Sequence, residues 1–475
     1  MSSQGVDYDT LEATTSIEEI TEDTILAAEH GDYVLDGSTE ELGWLGHFMK
    51  KSTRLNEFRI SGGDALVSCS GQSVDKFIGD LSKCNHIQKM TFAYTDLAEI
   101  IYKLGPAMIN DNITQLTVEG CFLGVPEATF LFNTFRDMNS LEELCIDCDD
   151  GFEHDLNDVT VAGCIPSLAA CKGMRKLKLN FLDLSTNSCA ALSAIFPEMA
   201  ALLELDLRDN LIDDDCVQVL SQGLSEFKQM RSLNLSHNRI SDNGLDVLIQ
   251  GLPASVDTLN LARNDVTLTR QLPLLRFKKL DLCGNTLSLD GPRVIAASLA
   301  NPECRLKSLS LNQCNIADEG VAILAPSLRK NQRLTRMSLA ENNISKEGWS
   351  AFSSILCDAS SINATHGSNH TLQSLGSYRQ VPQDIKMLLE LNSDQDKSRV
   401  AAKKILQVHR HLDMRPFLGM ELDLLPGVVA WLNRFAESRP DLKLSSIFEF
   451  VRAMPMKSTD RLMDVVERKK CKLSN

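Results

Sequence analysis

The residues of this 475-residue chain whose types could carry bond-making chemistry are few and badly spaced for it. Cys145-x-x-Cys148 has the spacing of half a zinc site, but no second pair accompanies it and a structural zinc needs four ligands. His409-Arg410-His411 falls on an expected helix, where side chains two residues apart face different ways, so the two rings cannot share a metal. Cys471 stands fifth from the end, one place off the prenylation position. No G-x-x-x-x-G-K-[ST] loop is present to cradle a nucleotide phosphate. No nucleophile has a base at a workable spacing. The expectation is a protein with no catalytic residue, no metal and no cofactor.

Polar residues set between leucines are, by contrast, regularly arranged. Asn234 and His237, Asn260 and Arg263, Asp281, Asn312 and Gln313, and then Arg336 and Glu341 recur in successive copies of one short phrase. Such side chains suit hydrogen bonding to a partner. The strip they form lacks aromatic anchors, the usual hot spots of an interface, although Tyr94 and Phe181 are candidates for that role in the N-terminal half. Beside the strip, Glu143, Lys176 and Glu204 alternate in sign, as do Lys178 and Asp206. These charges are expected to neutralise one another across strands, at about 0.2–1 kcal/mol per pair, rather than to attract a partner.

The phrase that positions the strip is L-x-x-L-x-L-x-x-N-x-I. It reads Leu202, Leu205, Leu207, Asn210, Ile212, and returns from Met230 to Ile240 and from Leu334 to Ile344. Weaker copies begin at Leu55, Ile87, Ile113, Leu141, Met174, Val256, Phe277, Leu306 and Ile362. A near-constant period of this size specifies a solenoid of stacked units. The L-x-L core predicts a short strand with alternate side chains inward. The Asn stands where the chain leaves the sheet, and its amide is expected to meet backbone groups that the turn leaves unpaired. Apolar residues spaced i, i+3, i+7 then predict a helix: Val217, Leu220, Leu224; Leu245, Leu248, Leu252; Val321, Leu324, Leu328; and Trp349, Phe352, Leu356. Asp213, Ser241 and Asp318 are the expected helix caps. The short interval from Val256 to Phe277, interrupted by Pro273, predicts a lost helix.

This strand-and-helix unit resembles the ribonuclease-inhibitor class of leucine-rich repeats over residues 50–372, most clearly from Leu202 to Ile344. Ile240-Ser-Asp-Asn-Gly244 and Ile316-Ala-Asp-Glu-Gly320 approach the I-x-D-x-G segment of that class. Cys121 and Cys314 take the Asn position, a substitution common in it. The resemblance implies an α/β solenoid, a horseshoe with a parallel concave sheet and outer helices, used to bind protein. The overall pattern also looks like leucine-rich-repeat families expanded in diatoms. The copy at Ile362 has lost its apolar strand residues and is expected to cap the array. Helical stretches over 382–391, 394–411, 424–435 and 444–454 then predict a small C-terminal helical domain. The expected organisation is an acidic disordered tail over 1–41, about twelve repeats over 42–372, and the helical domain over 373–475.

Charge and composition bound the partner. The formal net charge is −16, and residues 1–41 hold twelve acids with no Lys or Arg. An acidic repeat region lacks the basic face that phosphate contacts need, so nucleic acid is not expected. No apolar run approaches a membrane span. The fourteen cysteines, with no signal-peptide pattern at the N-terminus, point to buried free thiols in the cytoplasm. The basic run Arg468-Lys469-Lys470-x-Lys472 leaves a nuclear location open. The leading expectation is a monomeric, non-enzymatic scaffold for a protein partner. One alternative is a GTPase-activating protein resembling the Ran-GTPase activators, although their acidic segment follows the repeats and no activating Arg matches here. Another is a ubiquitin-ligase substrate adaptor, for which residues 42–60 do not read as an F-box.

Overall fold

The computed structural model describes residues 46–47, 49–52, 56–61, 70–98, 100–109, 112–148, 156–270, 273–376, 381–409 and 430. The acidic segment 1–41 and the helical stretches expected over 424–435 and 444–454 lie outside these, apart from Ala430. Internal packing divides the chain into two compact units, Met1–Val266 and Thr267–Asn475.

The first unit carries eight short strands: β1 (Glu57–Ser61), β2 (Lys89–Ala93), β3 (Gln115–Glu119), β4 (Glu143–Asp147), β5 (Lys176–Asn180), β6 (Glu204–Asp206), β7 (Ser232–Asn234) and β8 (Thr258–Asn260). Each begins two residues after the first apolar residue of a phrase copy, and neighbours pair in parallel, in sequence order. The register stacks Leu144, Leu177, Leu205, Leu233 and Leu259, all essentially buried, as period-two alternation requires. The second unit carries β9 (Lys279–Asp281), β10 (Ser308–Ser310) and β11 (Arg336–Ser338), paired the same way with Leu280, Leu309 and Met337 in register.

Parallel neighbours need a crossover, and a helix supplies it in most repeats. Helices Asp214–Leu224, Asp318–Leu328 and Lys346–Leu356 bury the expected stripes Val217, Leu220, Leu224; Val321, Leu324, Leu328; and Trp349, Phe352, Leu356. Asp213 and Ser241 are N-caps as read from the sequence. Asp318 is not. Ala317 holds that place, and the Asp318 carboxylate instead accepts the N–H of Ser345, the cap of the following helix, at 2.8 Å. No helix occurs between Asn260 and Lys279 among the described residues, in keeping with the short interval and Pro273.

The phrase at Ile362 takes a different form from the one its spacing suggests. Ile362–His366 is a short helix, and strand-like pairing resumes at Ser374, where Met337 N–H donates to Ser374 O and Leu339 N–H to Leu375 O. Helices Gln383–Leu391, opened by Pro382, and Lys397–Val408, capped by Asp396, follow as expected. A second asparagine series ties this end together. Asn331, Asn369 and Asn392 donate to Leu299 O, Leu328 O and Leu372 O, and buried Lys404 donates to Leu356 O and Asn369 O at 2.6 and 2.9 Å. No described helix is long and apolar enough to cross a membrane.

Candidate functional site

The turn that follows each strand positions the polar strip, and the asparagine of the phrase holds that turn. Asn238 donates to Leu207 O, Leu235 O and Ser236 O and accepts the Ile212 N–H. Asn210 and Asn342 each accept two N–H groups of the preceding repeat, and Asn264 one. Cys314 fills the same place with a thiol that donates to Leu282 O at 3.1 Å, and Cys121 donates to Glu119 O at 3.4 Å. Burial pushes these thiols up to about 12 and about 11, so they stay protonated donors.

One residue before this ladder the backbone is left-handed, repeat after repeat. In the first unit the residues are Tyr94, Gly120, Phe181, Asp209, His237 and Arg263; in the second they are Gly284, Gln313 and Glu341, with φ between 52° and 72°. Four residues of the sequence-predicted strip, His237, Arg263, Gln313 and Glu341, thus share one special conformation, and all four are exposed. Two of their N–H groups are spent where the repeats pair: His237 donates to Ala262 O at 2.7 Å and Gln313 to Ala340 O at 3.0 Å. Their side chains point outward. The His237 ring meets Asp209 at 3.0 Å, and the Gln313 amide meets the Glu341 carboxylate. Arg263 has no carboxylate within 4 Å among the described residues.

The other members of the strip have a structural task. The side-chain oxygens of Asn234, Asn260 and Asp281 accept the N–H two residues on, at 3.1, 2.9 and 2.9 Å. Each fastens the strand end that presents the left-handed residue. Asn312 reaches across instead, to the Ala340 N–H at 2.8 Å and the Ser338 hydroxyl. Arg336 stands at the start of β11, exposed, two rows away from the turn.

Of the charges beside the strip, Glu143 and Lys176 pair at 3.0 Å as expected. A bridge that the sequence reading missed joins Arg208 to Asp147 at 2.7 Å, reaching past β5, where buried Asn180 also donates to Asp147. Burial holds the Asp206 carboxyl above its usual range, against hydrogen bonds from Arg208 N–H and Asn234. Asp209 was likewise missed as a member of the turn row. Gly120 and Gly284, at the same phrase position, were the available signal for a left-handed turn there.

The chemistry-bearing pairs are dispersed. Burial pushes the Cys145 and Cys148 thiols up to about 11 and about 12. His409 is buried against the Thr365 hydroxyl at 2.9 Å, while His411 lies outside the described residues. Of the twelve described cysteines, none joined to another by a disulfide, nine are buried. No group of three His, Cys, Asp or Glu that could hold a metal occurs among the described residues.

The leucine-rich-repeat family model matches residues 230–248 and 304–325, two stretches that each contain a copy of the strand phrase. The ribonuclease inhibitor of Mus musculus is 27% identical over 262 residues, covering 52% of this chain and 49% of its own length. That of Sus scrofa is 26% identical over 245 residues, covering 50% and 47%. The chain carries leucine-rich repeats, similar to those of the ribonuclease inhibitors. It spans about half the length of those inhibitors. The human NACHT, LRR and PYD domains-containing protein 14 is 31% identical over 193 residues, covering 39% of this leucine-rich-repeat chain but 15% of that protein. A solved internalin from Listeria monocytogenes overlaps 65% of the chain and 86% of its own at a TM-score of 0.40 and 14% identity.

Proposed function

We propose that this leucine-rich-repeat chain is a non-enzymatic scaffold that binds a protein partner through the left-handed turn residues at its strand ends. The observation that carries the reading is the set His237, Arg263, Gln313 and Glu341 at φ of 53–55°. An L-residue there costs roughly 1–2 kcal/mol, and Gly120 and Gly284 serve the same turn without that cost. Side chains kept under backbone strain, exposed and polar, are a signature of contact sites. Asn234, Asn260, Asp281 and Asn312 hold the strand ends rigid behind them, and Arg336 flanks them. Within each unit, fixed polar groups repeated from strand to strand suit a protein surface better than a small molecule, which needs an enclosed pocket. The matched inhibitors are named for a protein target, which supports a partner of the same broad class. Free buried thiols fit a reducing compartment such as the cytoplasm, and the scaffold acts as a monomer.

The test is capture of partners from a cell extract on the immobilised full chain, repeated with Arg263→Glu and with Glu341→Lys. A specific protein retained by the parent and lost from at least one reversal is the expected result. Retention of no protein, or of proteins indifferent to both reversals, sinks the reading.

A further inference from the structure

At the start of the strands, away from the turn row, the second unit carries an unusual concentration of positive charge. Three positions in each phrase copy open on this edge: the residue before the first apolar residue and the two after it. For β9, β10 and β11 they are held by Arg276, Lys278 and Lys279; Arg305, Lys307 and Ser308; and Arg333, Thr335 and Arg336. Seven of the nine are basic and none is acidic. The same positions of β5 to β8 read Gly, Arg, Lys; Ala, Leu, Glu; Gln, Arg, Ser; and Ser, Asp, Thr, and there Lys176 and Arg175 are matched by Glu143 and Glu142 at 3.0 and 3.9 Å.

Among the described residues, five of these seven cations of the second unit have no such match. Its described ion pairs join Arg293 to Asp290, Arg329 to Asp358, Arg399 to Asp396 and Lys403 to Asp394. Lys279, Arg305, Lys307, Arg333 and Arg336 are exposed, and none has a carboxylate within 4 Å among the described residues. The pairing of β9 with β10 and of β10 with β11 sets these side chains in rows about 4.8 Å apart. Burial lowers the pKa of the Arg276 guanidinium, which lies over the Phe277 ring, and the like charge of Arg305 lowers it further. Like charges held this close in a chain of net −16 are relieved by an anionic ligand.

We propose that the strand-start edge of β9–β11 is a docking surface for an acidic, extended polypeptide segment of a partner protein. Guanidinium groups match carboxylates in bidentate geometry, and three of the five exposed cations are Arg. A nucleic acid fits less well. The ring beside the patch, Phe277, is buried and unavailable for base stacking. The surface shares Arg336 with the strip of the turn row but does not depend on that reading, since Arg305 and Arg333 take no part in it.

The test measures fluorescence anisotropy of a labelled Glu-rich peptide and of a single-stranded RNA of similar length, each with the full chain. The peptide is expected to bind, to weaken steeply as salt rises from about 50 to 200 mM, and to lose about tenfold or more in affinity with Arg305→Glu/Arg333→Glu. Arg305→Lys/Arg333→Lys is expected to keep most of the affinity, and Lys307→Gln/Lys279→Gln serves as a second variant if the first fails to fold. Peptide binding unchanged by both loss variants overturns the proposal. So does RNA bound more tightly than the peptide. A chain lacking residues 1–41 that gains about tenfold for the peptide also overturns it, because the surface then belongs to the chain's own acidic segment.

Discussion

The carboxylate of Asp214, in the first turn of one helix, accepts the N–H groups of Ser241 and Gly244 at 2.8 and 3.0 Å, in the helix of the next repeat. Asp158 does the same for Ser185 and Ser188, and Asp318 for Ser345. One residue type at one helical position therefore caps the following helix, puts negative charge at its N-terminus and couples neighbouring repeats. Glycine at the third helical residue makes room, because a Cβ on Gly244 meets Asp214 Oδ1 at 2.5 Å and one on Gly348 meets Asp318 Oδ1 at 2.1 Å.

Asp214→Ala is expected to destabilise the protein by about 1–2 kcal/mol, the usual cost of a lost cap. Gly244→Ala is expected to destabilise it as well, through the clash with that same carboxylate. The double variant should then lose clearly less than the sum of the two, since removal of Asp214 removes the clash. Urea unfolding of the four proteins completes the cycle, and strict additivity argues against the coupling.

The left-handed row separates stability from binding. His237→Gly and Gln313→Gly are expected to leave the unfolding midpoint unchanged or raised, by up to about 1 kcal/mol, since glycine meets no Cβ penalty at φ near 55°. Valine at either position is expected to cost about 1–2 kcal/mol. Partner capture, in contrast, should fall with both glycine variants. A glycine variant that unfolds more readily than the parent indicates that the side chain serves the fold rather than a partner.

A pH dependence follows from Lys404, which is wholly buried with its ammonium on Leu356 O and Asn369 O. Burial pulls its pKa from 10.5 to about 7, with Lys397 adding like charge. Between about pH 7 and 10.5 the unfolded chain binds a proton at this residue that the folded chain does not, so stability rises with pH across that window. Below about 7 both states are charged, and the folded state bears the full cost of a buried ammonium. His370, held by burial at about 4 instead of 6.5, changes its contribution only between those values. Lys404→Met is expected to gain less stability than the parent between pH 7 and pH 9, measured as the shift in urea midpoint. An equal gain in both proteins rules Lys404 out as the source.

The strands and most helices were legible because they depend on period alone. The eleven strands among the described residues begin where the phrase places them, and Val217, Leu220 and Leu224 line their helix as spaced. The sequence misled where a residue acts on a neighbouring repeat. Asp318 has the composition of a local cap yet serves Ser345, twenty-seven residues away. At Ile362 the spacing continued while the apolar strand residues did not, and the chain took up a helix there and resumed strand pairing only at Ser374. The polar strip was visible as a series of polar residues, but its division of labour was not. Whether Asn234 faces a partner or its own turn depends on the N–H two residues on, a backbone contact that composition does not encode.

The asparagine ladder gives a graded test of how much each turn contributes. Asn342 donates to Leu311 O and Leu339 O at 2.7 and 3.0 Å, and accepts the N–H groups of Cys314 and Ile316 at 3.0 and 2.9 Å. Asn342→Ala strands two buried donors as well as the carbonyls, and is expected to cost about 3 kcal/mol or more. Cys314→Ala removes only thiol bonds to Leu282 O and Asn312 O, weak donors that replace no acceptor, and should cost about 1–2 kcal/mol. A thiol held near 12 by burial is also expected to resist alkylation in the native protein near pH 8 and to react on unfolding. Denaturant melts of the two variants give the order, and mass spectrometry of the alkylated parent reads the thiol. Cys314→Ala costing as much as Asn342→Ala indicates that volume, rather than the count of satisfied backbone groups, sets the stability of the turn.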